Sequence, residues 1–262
     1  MPTLKEHYGP WALVTGASAG IGEAYVKRLA TEGFNIVATA RRQDRLAKLC
    51  QEMEVRHGIL TLPITEDLSD PEGPKRLIDA VSQLEIGLLI NNAGYGSNGH
   101  FHELDPEKEA RMVILNCYAP IVITRALLPA MVSRKRGGVV FLSSTGANQP
   151  VPCSATYCAT KGFNQFMGEA LFEELKRYGV DAVAIQPGPT RTEFQVNADY
   201  VHDGKIRTPE DVVTTTFKAI GKKPVGVDGM RNKIMKILAQ TLPRRFVVSF
   251  SRHYALAHQK KR

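Results

Sequence analysis

Two kinds of block alternate along this chain. One is a short, largely apolar run: residues 11–15, 34–40, 58–64, 87–90, 138–144, 181–186 and 223–227. Runs of that length without a polar face predict strands buried on both sides. The other kind carries apolar residues at helical spacing and fills the gaps. Helices are expected up to about Glu32, over Gln43 to about His57, after Pro71, from Pro106 to about Arg134, through Tyr157 and Lys161, and from Pro209. Strand–helix alternation with short links implies one parallel sheet with helices on both faces. The expected fold is α/β, a doubly wound single domain.

Local punctuation agrees. Gly33 ends the first helix. Asp105 followed by Pro106 reads as an N-cap with proline at the first helical position. Thr208, Pro209, Glu210 and Asp211 form a capped, acidic helix start. Pro120 and Pro129 predict irregularities in the long helix between them and Pro106. Asn116 lies in an apolar stretch of that helix, and a buried amide needs a partner. Residues 193–207 lack a clean period and read as a mobile flap. The first ten residues hold no apolar signal core, and strand one is expected directly after them. No run approaches the roughly 18 apolar residues of a membrane span.

Ligands of such sheets bind outside the carboxyl ends of the strands. Residues 15–22, 40–42, 67–68 and 91–94 all fall there. Gly16, Gly20 and Gly22 stand between a strand and a helix, where helix-N-terminal amides meet a pyrophosphate. Dinucleotide sites often end the second strand with an acid. Here Ala40 is followed by Arg41 and Arg42, which can pair with a 2′-phosphate. This favours NADP over NAD. Asp67 could accept from an adenine amino group or serve as a turn residue. Tyr157 and Lys161 are four residues apart, which puts them on one helical face at about 5–6 Å. An ammonium beside a phenol lowers the phenol's pKa and makes it a usable acid. Ser144 is delivered to the same edge by the strand before it.

Net charge changes the picture only at one end. The chain is +8 overall. Residues 229–262 hold nine basic side chains and no acidic one, which leaves residues 1–228 near neutral with 25 basic against 26 acidic. A basic tail on a neutral body argues against a nucleic-acid partner. Cys50, Cys117, Cys153 and Cys158 form no CxxC pair, so neither a disulfide framework nor a metal site is expected. Reduced thiols fit a cytoplasmic protein.

Residues 15–22, Asn91 to Gly94, Ser144 with Tyr157 and Lys161 beyond it, and residues 187–190 together resemble the short-chain dehydrogenase/reductases. The resemblance covers about residues 10–192. It implies a Rossmann-fold oxidoreductase with a nicotinamide cofactor. Tyr157 would be the general acid or base, Lys161 would lower its pKa and hold the nicotinamide ribose, and Ser144 would bond the substrate oxygen. Asn116 would match the position that holds a proton-relay water. Gly16, Ser18, Gly20, Ile21, Gly22, Arg41, Arg42, Asp67, Leu68, Asn92, Ala93, Gly94, Pro187, Gly188, Thr190 and Thr192 would meet the cofactor. Residues 1–228 would form this domain, and 229–262 a basic extension. Met230, Ile234, Ile237, Leu238 and Leu242 recur there at helical spacing. Such a helix could pack on its own subunit, on a neighbour in a dimer or tetramer, or on an anionic membrane surface.

The favoured reading is an NADP(H)-dependent carbonyl reductase or alcohol dehydrogenase. Its pocket is expected to be lined by Tyr95, Phe101, residues 145–155 and Phe194, and its small-molecule substrate to be hydrophobic. An alternative is 3-oxoacyl-thioester reduction, with Arg191 and Arg207 at the pocket mouth. A reading of another class is a non-catalytic NADP(H) sensor or membrane-recruited binding protein.

Overall fold

A computed structural model describes residues 3–194 and 206–257. Seven parallel strands form one sheet in the order β3-β2-β1-β4-β5-β6-β7. They are β1 (Trp11–Thr15), β2 (Asn35–Ala40), β3 (Thr61–Thr65), β4 (Ile86–Asn91), β5 (Gly137–Leu142), β6 (Val180–Gln186) and β7 (Val225–Val227). Every residue of β4 and β5 is buried. That follows from their place in the middle of the sheet, with helices on both faces. Edge strand β3 is half-exposed and tolerates Pro63, whose missing N–H does not break an interior ladder.

Helices α1 (Leu4–Tyr8), α2 (Gly20–Thr31), α3 (Gln43–His57), α4 (Gly73–Ala80), α5 (Pro106–Val113), α6 (Ala119–Ser133), α7 (Ala155–Lys176) and α8 (Pro209–Ala219) surround the sheet. Two more, α9 (Met230–Thr241) and α10 (Arg244–Ala257), follow β7. One core cluster joins β1, β2 and β6 to α2, α3 and α8; a second joins the other sheet face to α4, α6 and α7. Asp105 caps α5 by accepting from Glu107 N at 2.9 Å. Thr208 and Asp211 make the reciprocal cap of α8.

The structure corrects four details. α1 precedes the first strand, capped by Thr3 and Glu6 and anchored by Tyr8, whose hydroxyl donates to Asp181 at 2.9 Å. Gly58 does not begin β3; it is the left-handed C-cap of α3, with φ 63°. Between α5 and α6 the helix widens into one π turn, Ile114–Tyr118. Pro120 has no N–H, so the carbonyl four residues earlier, that of Asn116, loses its helical partner. Asn164 Nδ2 donates to that carbonyl instead, at 2.8 Å. Finally, the continuous helix Pro106–Ser133 is long and apolar enough by composition to span a membrane. Yet Met112, Ala119, Ile123 and Met131 on it are buried, the last three packed in the second core cluster.

Candidate active site

The carboxyl ends of β1, β2, β4, β5 and β6 open on one cleft of about 1440 Å³. Its floor begins with the turn after β1. Gly16 and Gly20 both have positive φ, 67° and 57°. A Cβ on Gly22 would stand 2.2 Å from the Gly16 carbonyl oxygen, so only glycine lets α2 close on the turn. Thr15 braces the neighbouring loop. Its hydroxyl oxygen accepts from Asn92 N at 3.0 Å and Ala93 N at 2.9 Å, while Asn92 Nδ2 donates to the Thr15 carbonyl at 2.8 Å. A Cβ on Gly94 would lie 2.9 Å from Asn116 Oδ1 and 3.3 Å from Lys161 Nζ. The glycine thus lets that loop pass against the middle of α7.

Beyond β5 the two serines part company. Ser143 donates to the Lys161 carbonyl at 2.8 Å and is buried. Ser144 lines the cleft and accepts from Gly146 N at 3.1 Å. Tyr157 faces the cleft from α7, its ring 5.4 Å from that of Phe194. Lys161 is buried; its Nζ donates to the Leu142 carbonyl at 2.8 Å and lies 5.9 Å from the centre of the Tyr157 ring. Burial pushes the Tyr157 phenol well above its ordinary pKa, with a hydrogen bond from Ser144 opposing it. Burial also pushes the Lys161 ammonium down to about 8. Here the expectation from spacing alone is corrected: desolvation outweighs any lowering of the phenol by its ammonium neighbour.

Asn116 does not line the cleft. Its amide donates to the Tyr95 carbonyl and to Thr160 Oγ1, both at 3.0 Å, and accepts from Tyr95 N at 3.2 Å. Those bonds tie the loop after β4 to α7. Gly22 also stays behind the cleft surface, while the other residues expected to meet the cofactor line it, as do Ser144, Tyr157 and Lys161; Arg191, expected at the pocket mouth, does not.

A family model for short chain dehydrogenase matches residues 10–200. The chain belongs to the short-chain dehydrogenase family. It is an oxidoreductase of carbonyl and alcohol groups, on a fold that binds NAD(P). By sequence it is similar to the very-long-chain 3-oxoacyl-CoA reductase of Mus musculus, 29% identical over 270 residues, covering 97% of this chain and 83% of that one. The Podospora anserina protein of that name is 34% identical over 187 residues, and the match spans only 55% of its length. By structure the chain is similar to 7β-hydroxysteroid dehydrogenase, with TM-score 0.88, 27% identity, and 95% and 99% of the two chains covered. It is also similar to a short-chain dehydrogenase from Sphingobium yanoikuyae in complex with NADPH, with TM-score 0.80, 27% identity, and 89% and 96% covered.

The residues on the cleft floor fit a dinucleotide. Ala19 precedes α2 without any side-chain cap, and Ala19, Gly20 and Ile21 line the cleft. The first amides of a 12-residue helix are thereby left for an anion. Asp67 acts as a turn residue: its Oδ1 accepts from Ser69 N at 2.9 Å, and its Oδ2 from Arg111 at 2.7 Å. Burial pushes its carboxyl up, but the Ser69 bonds and the charges of Arg41 and Arg111 outweigh that and hold it below the usual range.

Two site expectations are revised. Phe101 is 68% exposed and away from the cleft. Arg207 is not free for a substrate phosphate; it pairs through two nitrogens with fully buried Asp228, at 2.8 and 2.9 Å. Arg42 lines the cleft as expected, and also reaches Ser18 and Glu193. The flap expected over 193–207 lies, for 195–205, outside the described residues. Residues 244–257 of the basic extension form α10, whose buried side chains among the described residues are Val247, Ser251 and Ala255. Met230, Met235 and Leu238 of α9, Leu242 just after it, and Phe246 and Phe250 of α10 line the cleft mouth and remain at least 40% exposed.

Proposed function

We propose that this chain is an NADP(H)-dependent reductase of a bulky, apolar carbonyl compound, or the dehydrogenase of the matching secondary alcohol. One observation carries the reading. Ser144, Tyr157 and Lys161 meet at the junction between a dinucleotide floor and an apolar mouth. The nicotinamide cofactor supplies the hydride when bound. Ser144 and Tyr157 hold the carbonyl oxygen, and the phenol, kept protonated by burial, gives it a proton as charge develops. Lys161 stands by as the cation that stabilises the resulting phenolate. Asn116 is a positioning residue that keeps Tyr95 and Thr160 in place.

Arg41 and Arg42 after Ala40, with no carboxylate at the end of β2, support NADP over NAD. The test is a broad panel of aliphatic, steroid-sized and acyl-thioester ketones, run with NADPH and NADH. Turnover is expected with bulky apolar ketones and NADPH, and Arg41→Ala is expected to weaken NADPH by about tenfold. NADPH binding without oxidation across the whole panel would favour the sensor reading. Unchanged NADPH affinity in Arg41→Ala would remove the phosphate assignment.

A second reading, 3-oxoacyl-thioester reduction, is favoured by the names of the curated relatives. With Arg207 pinned, Arg231 and Lys236 at the cleft mouth are the candidates to meet the phosphates of such a substrate.

The exposed apolar side chains of α9 and α10 sit in a segment of nine basic and no acidic residues. We assign residues 229–262 to contact with an anionic membrane surface, from which an apolar substrate could enter. The chain would then work in the cytoplasm, where its four free thiols stay reduced. Co-sedimentation with vesicles containing phosphatidylserine is expected for the full chain and lost in Phe246→Ser/Phe250→Ser. A dimer or tetramer in solution with no vesicle binding would instead assign that surface to a second copy.

A further inference from the structure

Arg42, after β2, and Arg45, in the first turn of α3, are already engaged by a carboxylate of the same chain. Glu193 Oε2 accepts from Arg42 at 2.6 Å, and its Oε1 from Arg45 at 2.6 Å. Arg42 Nε also reaches Ser18 Oγ at 3.2 Å. Serine hydroxyl, guanidinium and acceptor oxygens thus meet at the adenosine end of the cleft, where the two arginines hold the Glu193 carboxyl below the usual carboxylate range. Carboxylate and phosphate are alternative acceptors for one guanidinium fork. Glu193 is tethered there by its neighbours, for Thr192 lines the floor and Phe194 rests on Tyr157.

We propose that Glu193 is a specificity-determining residue, which competes with the 2′-phosphate of NADPH for Arg42 and Arg45. The inference rests on the NADP reading above. All three side chains are about half exposed, so each pair is screened by water and exchangeable. A phosphate carries more charge than a carboxylate and displaces it. A ribose hydroxyl cannot displace it, and can donate to it instead. Glu193 therefore weakens NADPH without weakening NADH, and narrows the preference that the arginines create.

The test is direct binding, by calorimetry, of NADPH and of NADH to the full chain. Glu193→Gln is expected to tighten NADPH by roughly threefold to tenfold and to leave NADH within about twofold. The gain is expected to shrink as salt rises. NADPH bound equally or more weakly by Glu193→Gln would overturn the proposal, since Glu193 would then be idle or would be ordering the arginines for the phosphate. Asp44→Asn removes a nearby exposed carboxylate that makes no bond to these arginines. An equal gain in that variant would also overturn the proposal, as a general effect of charge. Arg42→Ala separates the two levels: if it leaves NADPH affinity unchanged, the role of Arg42 in the NADP reading fails, whatever Glu193 does.

Discussion

Exchanging Tyr157 for phenylalanine is expected to slow carbonyl reduction by about 10³-fold and to leave NADPH affinity within about twofold. The substitution removes one oxygen. The ring keeps its contact with Phe194 at 5.4 Å and its place 5.9 Å from Lys161 Nζ, so the cleft keeps its shape. What is lost is the acid. Burial raises the phenol's pKa, Ser144 pulls against it, and Cys158 adds to the rise. The group therefore stays protonated through neutral pH and has its proton ready when the carbonyl oxygen gains charge. Ser144 can still donate a hydrogen bond in the variant, but an alcohol is too weak an acid to replace the transfer. Single-turnover oxidation of NADPH measures the rate, and fluorescence titration measures binding. Retention of more than about a tenth of the parent rate would show that the proton comes from elsewhere.

Much of this arrangement is legible along the chain because it is carried by short segments at strand ends. The apolar runs of β1, β4, β5 and β6 are readable because interior parallel strands are buried on both faces. β3 is harder: Gly58, Ile59 and Leu60 continue its apolar run, but Gly58 is spent on ending α3. α1 buries only Tyr8, so no periodicity marks it; its signal is the reciprocal cap of Thr3 and Glu6. Pro120 announces an irregular helix without saying that the answer is a π turn closed by Asn164. The site divides the same way. Ser144, Tyr157 and Lys161 can be picked out by spacing, but their electrostatics cannot, because the desolvation that raises one pKa and lowers the other belongs to the packed fold. Arg207 and Arg42 look like ordinary surface arginines until the chain brings Asp228 and Glu193 to them. Those partners are 21 and 151 residues away.

The rate of carbonyl reduction is expected to fall as pH rises through about 8, and Lys161→Met is expected to lower it by about 10²-fold at neutral pH and to erase that break. The sign follows from which form of Lys161 is useful. Its ammonium lies beside the ring of Tyr157, and proton donation leaves a phenolate there. A cation stabilises that phenolate; a neutral amine does not. Burial lowers the lysine from its ordinary 10.5 to about 8, so the charge is present below that pH and lost above it. Reduction weakens along the same limb. Alcohol oxidation runs the other way, because it starts from the phenolate and gains from the loss of protons. Methionine nearly matches the length of lysine and fills the same buried space without the charge. The Leu142 carbonyl, which accepts from Nζ at 2.8 Å, then loses its donor, and a destabilisation of about 1–3 kcal/mol is expected in thermal melts. Profiles of kcat/KM from pH 6 to about 10, for parent and variant in both directions, make the comparison. A parent profile level to about pH 9, or the same break in Lys161→Met, would assign the titration to another group and leave Lys161 a purely structural contact to β5.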